Sequence, residues 1–291
     1  MKEKILDLGD RVKSYESMYE TVVEPADHII VRIDGHHFSN FTSSFEKPFD
    51  LSLQKAMQEA AKDALERFNA YSAYTQSDEI TLFIPSLKDL TVDNREKSTH
   101  KLHKRIREDY THLFNGRTHK ISSLVASFVT MSFNKHLRKI LMKESISGET
   151  SQERKDKVFK MLNSHKVLDT AYFDARVFGV KDFSEVTNVF IFRSRDCIKN
   201  SKASYAQGYC SHKELQHKNS EEQIEYLKSK TGKDWNELHD SLKYGTLVKR
   251  ESYIKELDDG SECQRTRSTF LHVPMNTYSD DLIKLITAKV I

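Results

Sequence analysis

Two short acidic motifs carry the residues best suited to chemistry in this chain. In RIDGHHF, Asp34 and Gly35 follow an apolar run, and in YTQSDEITLF, Asp78 and Glu79 stand between two apolar runs. Packing alone does not explain a carboxylate at the end of a buried strand, so another role is expected for these acids. Carboxylate oxygens suit Mg²⁺, which proteins usually bind through one or two carboxylates together with phosphates and water. Gly35 allows the main chain an unusual turn and a close approach to a ligand.

The elements around these motifs are expected to bring the acids together. The hydrophobic pattern predicts strands over residues 28–34, 71–76, 80–84 and 170–180, and helices over residues 1–26, 50–68, 119–141 and 184–207. From the first strand onward the order is β-α-β-β-α-β, the split βαβ pattern of a ferredoxin-like sheet. In that topology the end of the first strand, with Asp34, lies beside the hairpin turn that carries Asp78. Two carboxylates and the Gly35 carbonyl then predict a site for two Mg²⁺ ions, as in the palm of polymerases and of nucleotide cyclases.

The predicted fold is α+β: a ferredoxin-like polymerase or cyclase palm, an antiparallel sheet with helices packed on it. Residues 1–180 are expected to form this catalytic palm. Residues 181–291 are expected to add a mainly helical C-terminal appendage and a β-hairpin, which pack on the palm. Asp259-Gly260 between alternating runs predicts the turn of that hairpin. The polar segment 148–157 is predicted to be a mobile loop.

Composition narrows the class of protein. The chain has 291 residues, 37% hydrophobic and 31% charged, with a net charge of +3. No apolar run approaches the roughly 20 residues that span a bilayer, and the N-terminus lacks the apolar core of a signal peptide. Three widely spaced cysteines favour a reduced, cytoplasmic protein without a structural zinc site. Positive charge is concentrated in residues 95–108, 134–143 and 192–202, which suit either contact with a phosphate backbone or solvated helix faces.

The motifs resemble a known family. RIDGHHF resembles the R-I-D-G-x-x-F motif, and YTQSDEITLF the Y-x-Q-S-D-E motif, of the tRNA-His guanylyltransferase family. FEKPFD is similar to that family's F-x-K-P-x-D and YFDARVF to its F-D-x-R-V segment, with matching order and spacing over residues 28–180. Beyond that range, the segments from DCIKNSK to YGTLVKR resemble the bacterial and archaeal guanylyltransferase-like branch of 3′–5′ RNA polymerases. The eukaryotic enzymes carry H-I-N-N where this chain has IKNS at residues 198–201.

The resemblance implies roles for individual residues. Asp34, Asp78 and Glu79 are the implied catalytic acids, with Asp34, the Gly35 carbonyl and Asp78 as Mg²⁺ ligands and Glu79 supporting the second acid. The implied nucleotide-binding residues are Arg32, Asp34, Gly35, His36, His37, Phe38, Ser39, Lys47, Ser77, Asp78, Lys199 and Asn200. The implied RNA-binding residues are Arg117, Lys120, His212 and Lys213. Lys199 is equally open to being a solvated helix residue.

Some of these residues also have structural interpretations. Arg32, in an apolar strand, is either a phosphate or carboxylate partner at the site or half of a structural ion pair. His36 and His37 are expected to make backbone contacts or to stack on RNA, because Mg²⁺ prefers oxygen ligands. Asp174 and Arg176, two residues apart on one face of a strand, are expected to form a structural pair or a sheet-edge contact.

The implied reaction is template-dependent 3′–5′ addition of nucleotides, GTP favoured, to the 5′ end of tRNA. ATP or GTP first activates a 5′ monophosphate, and the 3′ hydroxyl of the incoming nucleotide then attacks it. The implied purpose is repair of incomplete 5′ ends or maturation of histidine tRNA, and the family implies a homotetramer, a dimer of dimers. Two alternatives are a palm-fold nucleotide cyclase and a non-catalytic RNA-binding protein. The basic segments disfavour a cyclase, which has no need to contact RNA. The presence of two acids that repel each other, Asp34 and Asp78, disfavours a protein that only binds RNA.

Overall fold

A six-stranded antiparallel sheet forms the centre of the fold. The computed structural model describes residues 7–89, 112–257 and 260–291. The strands are β1 (His28–Gly35), β2 (Ser72–Gln76), β3 (Glu79–Ile84), β4 (Phe173–Val180), β5 (Thr246–Glu256) and β6 (Glu262–Leu271), in the order β4-β1-β3-β2-β5-β6. The first four strands have the ferredoxin-like arrangement, so the predicted α+β palm is confirmed. The predicted C-terminal hairpin, β5 and β6, extends the same sheet because β5 pairs with β2.

Helices cover both faces of the sheet. They are α1 (Leu8–Ser17), α2 (Phe38–Phe41), α3 (Leu51–Arg67), α4 (Thr118–Ile146), α5 (Gln152–Leu162), α6 (Phe183–Gln207), α7 (His212–Leu215), α8 (Ser220–Thr231), α9 (Asp240–Tyr244) and α10 (Asp280–Thr287). Short 3₁₀ turns occur at Thr42–Ser44, Leu113–Gly116 and Trp235–Glu237. Within the described ranges, no helix is both long and apolar enough to cross a membrane.

The two faces of β1 enter different cores because side chains alternate along a strand. Ile29, Val31 and Ile33 belong to the core that α3 and α4 form with one face of the sheet. Ile30 belongs to the core on the other face, which α6 and α10 cover. Burial on both sides explains why β1 is apolar at successive positions. The same alternation places Asp34 on the face that α6 covers.

The helix predicted over residues 1–26 is wrong in extent. The described helix is α1, which ends at Ser17 and contains no buried residue. The chain then leaves the helical path, and the Val23 N–H donates to the Gly116 carbonyl at 2.8 Å. Pro25 follows two residues later and cannot donate a helical hydrogen bond.

The mobile loop predicted over residues 148–157 is wrong from Gln152 onward, where α5 begins. Ser151 caps this helix by accepting a hydrogen bond from the Arg154 N–H at 3.3 Å. Val158 and Met161 are buried and hold the helix in place. The basic segment 95–108 and Asp259 of the predicted hairpin turn lie outside the described residues.

Candidate functional site

The ends of β1 and β3 bring the two acidic motifs side by side. Asp34 lies opposite Glu79 in the antiparallel register. The Gly35 N–H donates to the main-chain carbonyl of Asp78 at 3.1 Å, which ties the end of β1 to the β2–β3 turn. The two motifs, more than forty residues apart in sequence, therefore share one end of the sheet.

Gly35 is needed for packing at this strand end. A Cβ atom at this position would lie 2.3 Å from Cδ2 of Phe38, whose buried ring covers the glycine. The left-handed backbone at the site belongs to other residues: φ is 51° at His37 and 50° at Ser77. Such conformations are strained for residues with a side chain and concentrate at functional sites.

Glu79 is held in an ion pair with a helix on the same face. Arg193 of α6 donates from Nε to Oε1 at 2.7 Å and from Nη2 to Oε2 at 2.6 Å. Arg32 Nε lies 3.8 Å from the same Oε2 atom. Burial raises the pKa of Glu79, and the hydrogen bonds and charge of Arg193 oppose that shift. The carboxylate therefore anchors α6 and the β1–β3 end to each other.

Asp34 and Asp78 contrast with Glu79, since neither forms an ion pair with any other described residue. Burial raises the pKa of Asp78, hydrogen bonds from Ser77 and from the main chain of Asp78 oppose that shift, and the negative charge of Asp34 adds to it. Two close, uncompensated carboxylates are an arrangement that a divalent cation relieves, so the residues fit Mg²⁺. In the described part of the chain no cluster of three or more His, Cys, Asp or Glu side chains could hold a metal ion. Water and substrate phosphates would have to complete the coordination, as is usual for Mg²⁺ and unusual for zinc.

A cavity of about 550 Å³ opens beside these acids. Eight of the residues predicted for the site line it: Asp34, Phe38, Ser39, Lys47, Ser77, Asp78, Glu79 and Asn200. Its volume is within the range of about 300–1,000 Å³ that is typical of small-molecule sites. The opposite wall comes from α6 and the start of β5, including Thr246. The lining of the cavity therefore combines the carboxylates of Asp34 and Asp78 with Lys47.

The segment that carries Lys47 is anchored from behind by Arg154 of α5. Asp50 is fully buried, caps α3 through the Ser52 N–H at 2.9 Å, and accepts from Arg154 Nη1 and Nη2 at 2.8 and 3.2 Å. Although burial by itself would raise the pKa of Asp50, the hydrogen bonds and charge of Arg154 lower it. Glu144 accepts from Arg154 as well, at 3.0 and 3.1 Å. This network joins three helices behind the cavity wall.

Other predicted nucleotide-binding residues lie outside the cavity lining. His36 stacks on Tyr172 with the ring centres 4.9 Å apart, and the exposed His37 ring contacts His36 edge-on at 4.1 Å. Lys199 is exposed on α6, directly before Asn200. Arg32 lines a second, smaller cavity on the same face of the sheet.

The residues predicted to bind RNA are all on the surface. Arg117 is paired with Glu20, and the Lys120 ammonium lies 5.5 Å from the centre of the Phe114 ring. His212 and Lys213 are exposed on α7. None of these four residues lines the cavity.

Asp174 and Arg176 lie on an edge strand of the sheet, which agrees with the second of their two expected roles, and within the described ranges they form no ion pair with each other. The β1–β4 register instead places Asp174 opposite Asp34 and Arg176 opposite Arg32. Both residues of β4 are exposed. A third carboxylate and a second guanidinium group therefore lie along the edge of the site.

Sequence reasoning missed Arg193 and Asp196. Asp196 Oδ2 accepts from Arg193 Nη2 at 3.1 Å and from Asn200 Nδ2 at 3.4 Å, which connects Glu79 to the far wall of the cavity along α6. The helical pattern of residues 184–207 did contain a signal for the role of Arg193. Arg193 occupies the position three residues after buried Phe190, on the stripe that faces the sheet, where an unpaired charge is not expected.

An antiparallel palm sheet with paired acids at a nucleotide-sized cavity defines the class of palm enzymes that includes nucleotidyltransferases and nucleotide cyclases. Residues 9–181 match the family described as "Thg1: tRNAHis guanylyltransferase". The chain is 30% identical, with a TM-score of 0.67, to a bacterial tRNA(His) guanylyltransferase (Thg1)-like protein in complex with ATP, over 91% of this chain and 92% of that one. The chain belongs to the tRNA(His) guanylyltransferase family, and the sequence-based assignment is confirmed.

Two curated relatives extend over most of the chain. One is the tRNA(His) guanylyltransferase of Debaryomyces hansenii, 26% identical over 88% of this chain and 85% of the relative. The other is uncharacterized protein R259 of Acanthamoeba polyphaga mimivirus, 32% identical over 97% of this chain and 89% of the relative. The likeness therefore includes the C-terminal region after residue 181.

Proposed function

We propose that this protein adds nucleotides in the 3′–5′ direction, directed by a template, to the 5′ end of tRNA. The observation that carries the proposal is the pair Asp34 and Asp78, which has no ion-pair partner among the described residues and lines a cavity that Lys47 also lines. Related solved structures support it, since bacterial Thg1-like proteins have been determined with ATP and with GTP. GTP is the favoured incoming nucleotide, and ATP or GTP activates a 5′ monophosphate. The same chemistry serves repair of incomplete 5′ ends and maturation of histidine tRNA.

The carboxylates of Asp34 and Asp78 and the carbonyl of Gly35 would hold Mg²⁺. Two such ions, when bound, lower the pKa of the attacking hydroxyl and neutralise charge on the phosphates. Because burial and the charge of Asp34 raise the pKa of Asp78, protonation of this carboxyl group on acidification would remove a metal ligand. Activity is therefore expected to fall at a higher pH than it would if Asp78 had the ordinary pKa of an aspartate.

The remaining residues of the cavity bind and orient the substrates. Lys47 supplies a flexible positive charge for the phosphates. Arg154 holds the segment that carries Lys47 in position through its ion pair with Asp50. Ser39 and Ser77 present hydroxyl and main-chain groups along the cavity wall. Holding two nucleotides and an RNA end in line accounts for most of the barrier reduction in such a transfer.

The chain itself supplies no nucleophile in this scheme. The 3′ hydroxyl of the incoming nucleotide loses its proton to solvent and forms the new bond to the 5′ phosphorus. AMP or GMP leaves with the bonding electron pair from an end activated with ATP or GTP, and pyrophosphate leaves from an end that carries a 5′ triphosphate. Cys197 is the one thiol among the described residues that lines the cavity. Burial raises its pKa to about 11, so the thiol stays protonated and is a poor nucleophile.

The proposal includes RNA contacts, assembly and compartment. Arg117, Lys120, His212 and Lys213 are the proposed RNA-binding residues, and their exposure supports this role. A homotetramer is proposed because α1 has no buried residue while Leu8 is 63% exposed. The three cysteines are free, which supports a reducing, cytoplasmic setting.

Metal-dependent nucleotide consumption separates this function from the two alternatives. The full chain is incubated with Mg²⁺, labelled ATP and GTP, with and without tRNA that lacks its first nucleotide. The proposal predicts consumption that depends on both Mg²⁺ and tRNA, lost in Asp78→Asn and kept in the surface control Asp156→Asn. Consumption without RNA would support a cyclase instead, and RNA binding without any consumption would support a non-catalytic protein.

A further inference from the structure

A second concave surface adjoins the catalytic cavity on the same face of the sheet. It has a volume of about 290 Å³ and is lined by Ile30, Arg32, Thr81, Phe178, Asn188, Val189, Phe192 and Arg193. Arg193 lines both cavities. Because residues advance about 3.3 Å along a strand, Arg32 lies about 7 Å along β1 from Asp34. Whatever occupies this surface is therefore a direct neighbour of the reacting groups.

The positive charges at this surface favour the binding of an anion. Arg32 and Arg176 are direct cross-strand partners, and like charges in that position repel each other. Arg32 Nε is buried and has no hydrogen-bond partner among the described residues. Arg32 Nε lies 3.8 Å from Glu79 Oε2, but both oxygens of Glu79 already accept hydrogen bonds from Arg193. Arg176 forms no ion pair within the described ranges, so positive charge at this edge remains incompletely balanced.

The walls of the surface suit a flat ring. Phe178 is 40% exposed and Phe192 63% exposed, which is unusual for two neighbouring large aromatic side chains and typical of a binding surface. The Arg193 guanidinium lies 5.1 Å from the centre of the Phe192 ring. Aromatic side chains beside arginines are the combination that binds single-stranded nucleotides through stacking and phosphate contacts.

We propose that Arg32, Arg176, Phe178 and Phe192 form a subsite for one unpaired nucleotide of the RNA, next to the reacting 5′ end. The base stacks on the two phenylalanines, and its phosphate lies between the two arginines. This proposal rests on the function proposed above, because it identifies where the RNA strand continues beyond the catalytic cavity. Charge complementarity and the shared Arg193 wall favour RNA over a second copy of the protein as the occupant.

Substitutions of Phe192 in the full-length chain test the subsite. Binding of a fluorescent tRNA that lacks its first nucleotide is measured by anisotropy, and binding of ATP is measured separately. Phe192→Ala is expected to weaken RNA binding about tenfold, the effect of losing one stacked base, and to leave ATP binding unchanged. Phe192→Trp should retain RNA binding, whereas Phe192→Leu, apolar but without a π-face, should not. Phe159→Ala is the matched control, since Phe159 is 66% exposed on α5.

A photoreactive phenylalanine analogue at position 192 gives a second readout that does not depend on a loss of affinity. The subsite predicts cross-links to a nucleotide within a few positions of the 5′ end. Cross-links to protein only, with a smaller sedimentation mass for Phe192→Ala, would replace the subsite with an interface between copies. Equal RNA affinity of Phe192→Ala and Phe159→Ala, or full recovery in Phe192→Leu, would refute base stacking. Failure of the proposed function would look different, because the unmodified protein would then not extend tRNA, whether or not it binds tRNA.

Discussion

Removing the Arg193 guanidinium should destabilise the protein strongly and in a pH-dependent way. The side chains of Arg193 and Glu79 are only 12% and 6% exposed. Breaking a buried ion pair by removing one partner costs about 3–5 kcal/mol, because the other charge is left uncompensated. Arg32, 3.8 Å from Glu79, still provides some compensation. For Arg193→Met we therefore expect a loss of about 3 kcal/mol in the free energy of unfolding at pH 8.

The sign of the pH dependence follows from the pKa of Glu79. Burial already raises this pKa, and loss of Arg193 raises it further. A carboxyl group with a raised pKa in the folded state destabilises the fold when ionised, and this penalty disappears as the pH falls and the group is protonated. The stability deficit of Arg193→Met should therefore be smaller at pH 5 than at pH 8.

Urea unfolding of four proteins measures these effects: the unmodified chain, Arg193→Met, Glu79→Gln and the double variant. Glu79→Gln in the Arg193→Met background should recover most of the lost stability, since no buried charge remains. A deficit below about 1 kcal/mol, or one that is equal at both pH values, would refute a buried, uncompensated Glu79. Absence of recovery in the double variant would refute the pairing itself.

Two further predictions concern groups away from the acids. Arg154→Met should lower the free energy of unfolding by about 3 kcal/mol or more, because it leaves buried Asp50 without its guanidinium partner. The same substitution should weaken ATP binding, which is measured by calorimetry. Unchanged ATP affinity would contradict the anchoring of the Lys47 segment by Arg154. Burial and the neighbouring Arg250 lower the pKa of Lys249 in the folded protein to about 7. Above that pH the unfolded chain therefore binds more protons than the folded protein does, so the free energy of unfolding should rise from pH 7 to pH 9. Urea unfolding of Lys249→Met should show a flatter rise over this interval, and an unchanged slope would contradict the lowered pKa.

Local patterns were enough to predict the catalytic end of the sheet. Apolar runs bounded by turn signals located β1, β2 and β3, and the β-α-β-β-α-β order then brought Asp34 beside Asp78. The cap of α3 was also predictable, since an aspartate before an apolar helical stripe is a strong N-terminal signal. Each of these elements depends on residues close together in sequence, and the order of the elements then specifies how β1 and β3 pair.

Features that depend on distant residues were not predictable in the same way. The pairing of β5 with β2 joins residues more than 170 positions apart, and no local pattern specifies that neighbour. Arg193 is 114 residues from Glu79, so its role emerges only once α6 lies on the sheet. The error at residues 148–157 has a local cause: polar residues dominate the start of α5, and its buried Val158 and Met161 come later in the helix.

The most direct test of the central claim is extension of a defined RNA end. A 5′-labelled tRNA lacking its first nucleotide is incubated with the protein, Mg²⁺, ATP and each nucleoside triphosphate in turn, beside full-length histidine tRNA. A second truncated tRNA carries a changed base at the opposing position of the acceptor strand. The account predicts that the added nucleotide changes with that base and that addition is absent in Asp78→Asn. Addition of the same nucleotide to both RNAs would contradict templating, and addition to neither RNA would contradict 3′–5′ transfer by this site.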